Sequence, residues 1–211
     1  MSMLSNRIAR LTPPPRRVPL PVVCSALLGV TGGIGAAFLI MGMLFVWLFV
    51  AGLDAPLWVS FVFIFPIIGA AFFVTATVRG LRSVVLLRHG ALTGARRVSE
   101  RATNTSINDQ PVIEYVYEFQ ASDRRVYKGA SRAISTEEVG DEPMEPVLYL
   151  PSDPRQSVLV DALPLRFTLD VDEAGEWVSY EGIGAVVWFV LAWTGVLAHV
   201  LYGLYRLLGA L

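Results

Sequence analysis

The stretch GVTGGIGAAF, Gly29 to Phe38, has the glycine density of a phosphate-cradling loop. A dinucleotide loop needs a strand before it, a helix after it, and an acid about 20 residues on for the ribose. Counted from Gly33 and Gly35, the third glycine of G-x-G-x-x-G falls on Phe38. Asp54 stands at the right distance, but the intervening LIMGMLFVWLFVAGL holds neither a turn nor a second strand. A pyrophosphate there would sit in hydrocarbon. Gly29, Gly32, Gly33, Ala36 and Ala37 read instead as a packing face, because small residues four apart let a second helix approach closely. The sequence offers no cofactor-binding residue.

The other reactive residues are few. Cys24 is the one cysteine, so neither an intrachain disulfide nor a cysteine metal site is available. His89 stands beside Arg88 at the end of an apolar run. His199 lies inside another such run, and an ionisable residue there is a functional candidate by default. Its named partner is Ser60. The competing reading, a neutral imidazole near headgroups or bonded to a carbonyl, is favoured because no acid in the apolar runs completes a proton relay. Glu137, Glu138, Asp141, Glu142 and Glu145 cluster around Gly140 but do not match a calcium loop, so they read as a solvated loop. Arg124, Arg125, Lys128 and Arg132, with Tyr127 among them, form a short basic patch. A charged solvent face is its simplest reading, and an anionic leaflet suits it better than nucleic acid. No nucleophile, base and orienting acid can be assembled, so no catalytic residue and no metal ligand is assigned.

The elements that carry these residues follow from charge and length. Hydrophobic residues make up 54% of the 211 and charged residues 17%, below the quarter or so usual in soluble domains. Val18 to Leu53 and Ala55 to Val78 contain no Asp, Glu, Lys, Arg or His. Gly182 to Tyr205 adds only His199 and tyrosines. Roughly 20 apolar residues cross a hydrocarbon core of about 30 Å. The spacing predicts three membrane helices, at about 24–50, 57–79 and 183–205, the second continuing to about 89. Pro66 is expected to kink that second helix. Arg7, Arg10, Arg16 and Arg17 precede the first helix, Arg79, Arg82 and Arg88 follow the second, and the hairpin between has none. Arginine bias therefore puts the N-terminus and the middle region in the cytoplasm and the C-terminus outside. Trp47 and Trp58 then fall near the outer interface, and Trp177 and Tyr180 near the inner one.

Five segments result: an Arg/Pro-rich tail (1–21), a helical hairpin (22–90), a β-domain (91–166), an acidic juxtamembrane linker (167–182), and a third helix with a short tail (183–211). The proline-rich tail reads as a stiff extended lead-in. In PVIEYVYEF, Ile113, Tyr115, Tyr117 and Phe119 alternate with Glu114 and Glu118, the pattern of a half-buried strand. With GARRVSERAT, VYKGAS, VLYL and SVLV this makes five or six strands, hence a small antiparallel barrel or sandwich. In the linker, Asp170 or Asp172 is a candidate cap for the third helix, and Glu173 or Glu176 could pair with Arg82 or Arg88.

The order of these motifs resembles the bacterial family known as domain of unknown function 3592. The likeness lies in Gly94, the Y-x-Y-x-F strand of Tyr115, Tyr117 and Phe119, Gly129, Gly140, and the V-x-Y-x-P-x-x-P run of Val147, Tyr149, Pro151 and Pro154. The resemblance implies a small β-domain inserted between membrane helices of the bacterial inner membrane, and implies no chemistry. The expected function is binding or scaffolding on behalf of a membrane complex, with the bilayer and a protein partner or a second copy as the contacts. An oligomeric transport protein is the alternative, and a membrane enzyme is the third class.

Overall fold

The computed structural model describes residues 10–50, 64–107, 110–134, 144–163, 169–180 and 182–208. Three long helices, α1 (Leu20–Val50), α2 (Ile64–His89) and α3 (Ile183–Leu208), are each long and apolar enough to cross a membrane. Five strands follow α2: β1 (Ala91–Ile107), β2 (Gln110–Gln120), β3 (Val126–Ile134), β4 (Glu145–Leu150) and β5 (Asp153–Leu159). They form one antiparallel sheet in the order β3-β2-β1-β4-β5. Two short strands, β6 (Leu169–Val171) and β7 (Trp177–Ser179), pair separately before α3. The chain divides into a β unit (residues 1–22 and 82–180) and a helical unit (23–81 and 181–211).

The β unit is a nearly closed barrel. Tyr115, Tyr117 and Phe119 alternate inward along β2, and with Ala95, Val147, Tyr149 and Leu159 they form the interior. Directly opposite Tyr117 on β3 is Gly129, where an added Cβ would lie 2.4 Å from the Tyr117 ring. The missing side chain lets the ring lie across β3 and carry its hydroxyl toward β5. That hydroxyl shares a hydrogen bond with Ser157 Oγ (3.1 Å) and accepts one from Ser131 Oγ (3.4 Å). Ser131 Oγ in turn accepts the Leu159 N–H at 3.2 Å, so side chains bridge the seam between the two end strands. Closure of this kind leaves less unpaired edge.

β4 is buried on both faces. Val147 and Tyr149 point into the barrel, whereas Leu148 points out into a second core with Val22, Leu87, Val160, Leu163, Leu169, Val171 and Trp177. The segment expected to be a linker therefore contains a hairpin that covers the barrel. Its turn holds Asp172 N–H on Glu176 O and Gly175 N–H on Asp172 O, with Gly175 at φ 80°. Asp172 Oδ1 accepts the Glu176 N–H, and Asp170 accepts from Val171 N and Tyr180 Oη. Neither aspartate caps α3, which begins at Ile183; both fold the hairpin instead. The proline-rich tail is likewise not a free lead-in. Leu11 and Val18 pack on the same core, and Thr12 N–H bonds Gly175 O.

In the helical unit α1 and α2 meet backbone to backbone. A Cβ at Gly35 would lie 2.6 Å from Phe73 N, one at Gly69 2.4 Å from Leu39 N, and one at Gly80 2.1 Å from Ala26 O. Gly32 faces Ala76, and Gly42 faces Pro66. The small-residue face expected from the sequence is only partly the contact. Gly32 and Ala36 are buried in it, but Gly29 and Gly33 meet nothing within 4 Å and Ala37 is exposed. The contact row Gly32–Gly35–Leu39–Gly42 alternates steps of three and four, as a helix with 3.6 residues per turn requires. A kink is present in α1. α1 breaks at Gly29 (φ 52°, ψ −173°), a conformation essentially restricted to glycine; Pro66 is the third described residue of α2, so the stretch that would show its expected kink lies outside the described residues. α3 adds Phe189, Ala192, Trp193 and Val196 to a core with Leu28, Ala36 and Phe73.

Candidate functional site

The β unit presents its polar chemistry in three places. The first is the outer face of the β1-β2-β3 sheet. Register sets Arg96, Glu118 and Lys128 in one row and Arg101, Glu114 and Arg132 in another. Lys128 Nζ lies 2.9 Å from Glu118, Arg96 lies 3.8 Å from the same carboxylate, and Arg132 Nε lies 3.0 Å from Glu114. The Lys128 ammonium, first by its hydrogen bond, holds the Glu118 carboxyl below its ordinary range. Half of the basic patch seen in the sequence, Lys128 and Arg132, is thus spent on acids of the neighbouring strand.

The other half goes to the β2–β3 turn. Ala121 N–H bonds Arg125 O and Arg124 N–H bonds Ala121 O, a three-residue hairpin loop whose last position is left-handed. Arg124 occupies that position at φ 65°. Asp123 Oδ1 accepts the Arg125 N–H and Oδ2 accepts from Tyr127 Oη at 2.7 Å. Those two bonds, the backbone one first, keep the Asp123 carboxyl below its usual range, and the Asp123 bond pushes the Tyr127 phenol up. Ser122 N–H bonds Tyr149 Oη, tying the loop to the barrel.

The third place is the junction of α2 with β1. The last carbonyls of a helix lack intrahelical donors and carry its negative dipole end. Here Trp177 Nε1 donates to Leu87 O (2.9 Å), Arg16 N–H to Arg88 O (2.8 Å), and Arg16 Nη1 to Gly90 O (2.8 Å). Arg16 Nε bonds Thr12 O. Burial pulls the Arg16 guanidinium below its ordinary pKa, opposed by the charge of Glu176. Arg16 is 4% exposed and Trp177 3% exposed, so both side chains are enclosed within the β unit. Glu176 accepts from Thr12 Oγ1, and among the described residues no ion pair joins Glu173 or Glu176 to Arg82 or Arg88. The expected acidic–basic seam is replaced by this cap. No local pattern in the chain signals it, because residues 16 and 177 are brought together only by packing.

His199 Nδ1 is 2.8 Å from Gly195 O, one turn back in α3, and a carbonyl can only accept, so Nδ1 carries the proton. Ser60, Trp58, Arg7, Gly140, Glu137, Glu138, Asp141 and Glu142 lie outside the described residues. Glu145 is buried on β4. Gly94 pairs with Pro146 within the β1–β4 ladder, Pro151 lies in the β4–β5 turn, and Pro154 is the second residue of β5. Among the described residues no group of three or more His, Cys, Asp and Glu could hold a metal. Cys24 is buried. No family model matches the chain, and no curated protein or solved structure matches it either.

Proposed function

We propose that this chain is a multi-pass protein of the bacterial inner membrane that holds a small β-domain at the cytoplasmic surface as a binding or scaffolding element of a membrane complex. The observation that carries this reading is a contrast of surfaces. The helices leave Val30 81%, Ile67 69%, Trp188 69% and Leu201 63% exposed, with nothing among the described residues to cover them. Side chains of that size stay out of water only against lipid or another protein. The β unit, by contrast, has its own apolar interior and an ion-paired outer face suited to water. Arginine bias supports the cytoplasmic side for this unit. The motif order supports kinship with domain of unknown function 3592.

Cysteine labelling tests the topology, with Cys24→Ser as background and single cysteines introduced at Ser122 and Ser99. An impermeant maleimide should leave both unlabelled in intact cells and modify both after permeabilisation. Labelling in intact cells would overturn the cytoplasmic assignment. Affinity isolation in mild detergent after crosslinking tests the scaffolding role. A defined stoichiometric partner is expected, and a chain that is alone and monomeric at native levels would count against it.

A further inference from the structure

We propose that the β2–β3 turn, Ala121–Arg125, with Arg88 and Arg155 beside it, docks on anionic lipid headgroups. The inference rests on the membrane reading above and names the surface that would meet the leaflet. Strand register carries it first. Thr93 Oγ1 bonds Gln120 O, and Ser122 N–H bonds Tyr149 Oη, whose residue pairs with Ala91. The turn therefore lies at the end of the barrel where β1 leaves Gly90 and α2. The β4–β5 turn lies at that same end, since Leu150 pairs with Asp153 and Tyr149 with both Ala91 and Ser157. One end of the unit thus gathers Arg88, Arg124, Arg125 and Arg155, all exposed.

Charge carries it next. Only Asp123 and Asp153 face these four arginines on the two turns, and both carboxylates already accept local donors. Among the described residues Arg88, Arg124 and Arg155 have no ion pair, in contrast to Arg96, Lys128 and Arg132 on the outer sheet face. Val126, next in the chain, is 65% exposed, which adds an apolar contact of the kind that suits a headgroup boundary.

The loop chemistry points the same way. The β6–β7 loop has the same hydrogen-bond pattern, Asp172 N–H to Glu176 O and Gly175 N–H to Asp172 O, and places glycine at the left-handed position. The β2–β3 loop places Arg124 there. A Cβ is disfavoured in that conformation, so an arginine kept there gives up stability to present its charge.

The test uses the full chain in lipid discs, with Cys24→Ser and a fluorophore on Ser122→Cys. Quenching by a headgroup-attached spin label is compared in phosphatidylcholine discs and in discs that also contain phosphatidylglycerol. Stronger quenching in the anionic discs, abolished by high salt, is expected. Arg124→Gly should reduce the phosphatidylglycerol preference by about five-fold, while raising the thermal midpoint of the β unit by roughly 2–4 °C. Arg132→Gln, which removes a paired cation, should leave the preference unchanged. Equal quenching in the two lipids, or an Arg124→Gly variant with undiminished preference, would overturn the docking surface alone. A chain that fails to enter discs would overturn the membrane reading, and this inference with it.

Discussion

Tyr117 and Gly129 form a pair whose geometry depends on a missing atom. A methyl group at residue 129 would lie 2.4 Å from the ring carbon that bears the hydroxyl. Gly129→Ala should therefore displace the ring, break its bonds to Ser131 and Ser157, and cost about 1–3 kcal/mol. Tyr117→Phe keeps the ring and loses only the hydroxyl, for about 1 kcal/mol. Chemical unfolding followed by near-ultraviolet circular dichroism ranks the two, and a larger loss for Tyr117→Phe would contradict this packing. Asp123 offers a pH test. Its folded pKa is lowered by the Arg125 N–H and the Tyr127 hydroxyl. The loop is thus supported above the ordinary aspartate range, and the support fades as pH falls through the lowered value. In Tyr127→Phe the Asp123 titration, followed by carboxyl carbon NMR, should move up toward the ordinary range.

Helix ends and kinks set the behaviour of whole elements. The C-terminus of α2 is closed by groups from distant parts of the chain, Arg16 and Trp177. Trp177→Phe should preserve most of the apolar burial yet leave Leu87 O without its donor, a cost of about 1–3 kcal/mol. Hydrogen exchange should then speed up in the last turn of α2 and in β6–β7, where loss of the hairpin's anchor would be felt. α1 depends on Gly29 in a different way. With φ at 52° and ψ at −173°, an alanine there is strained by about 1–3 kcal/mol unless the helix straightens. Gly33→Ala, with nothing within 4 Å, should be silent in stability. Thermal stability of the two variants in detergent separates a kink glycine from a merely helical one.

At the scale of the molecule, the α1–α2 hairpin rests on glycines whose replacement would push two backbones apart. Gly69→Ala and Gly80→Ala each place a methyl within 2.4 Å of main-chain atoms of α1. In a bilayer lipid would satisfy the apolar side chains, and close packing is what would hold such helices together, so each variant should weaken the hairpin by more than Gly33→Ala does. Resistance to unfolding by sodium dodecyl sulfate measures this directly. Much of this architecture was legible in the chain as written. Charge-free runs of the right length declare long apolar helices, and the Tyr115–Tyr117–Phe119 alternation declares a strand with one wet face, since both are local, periodic signals. What residues 16 and 177 do was not legible, because capping a distant helix leaves no periodicity behind. The division of the basic patch into cations that face acids across the strands (Lys128, Arg132) and cations on the turn (Arg124, Arg125) was hidden for the same reason: strand register, not sequence spacing, chooses which acid faces which base. Composition and periodicity thus determined which segments are long apolar helices and which are strands with a polar face, a matter of solvation that each residue carries with it. Only the tertiary structure decided which glycines touch, which carbonyls are capped and which charges face one another, because those depend on groups that meet only when the chain is folded.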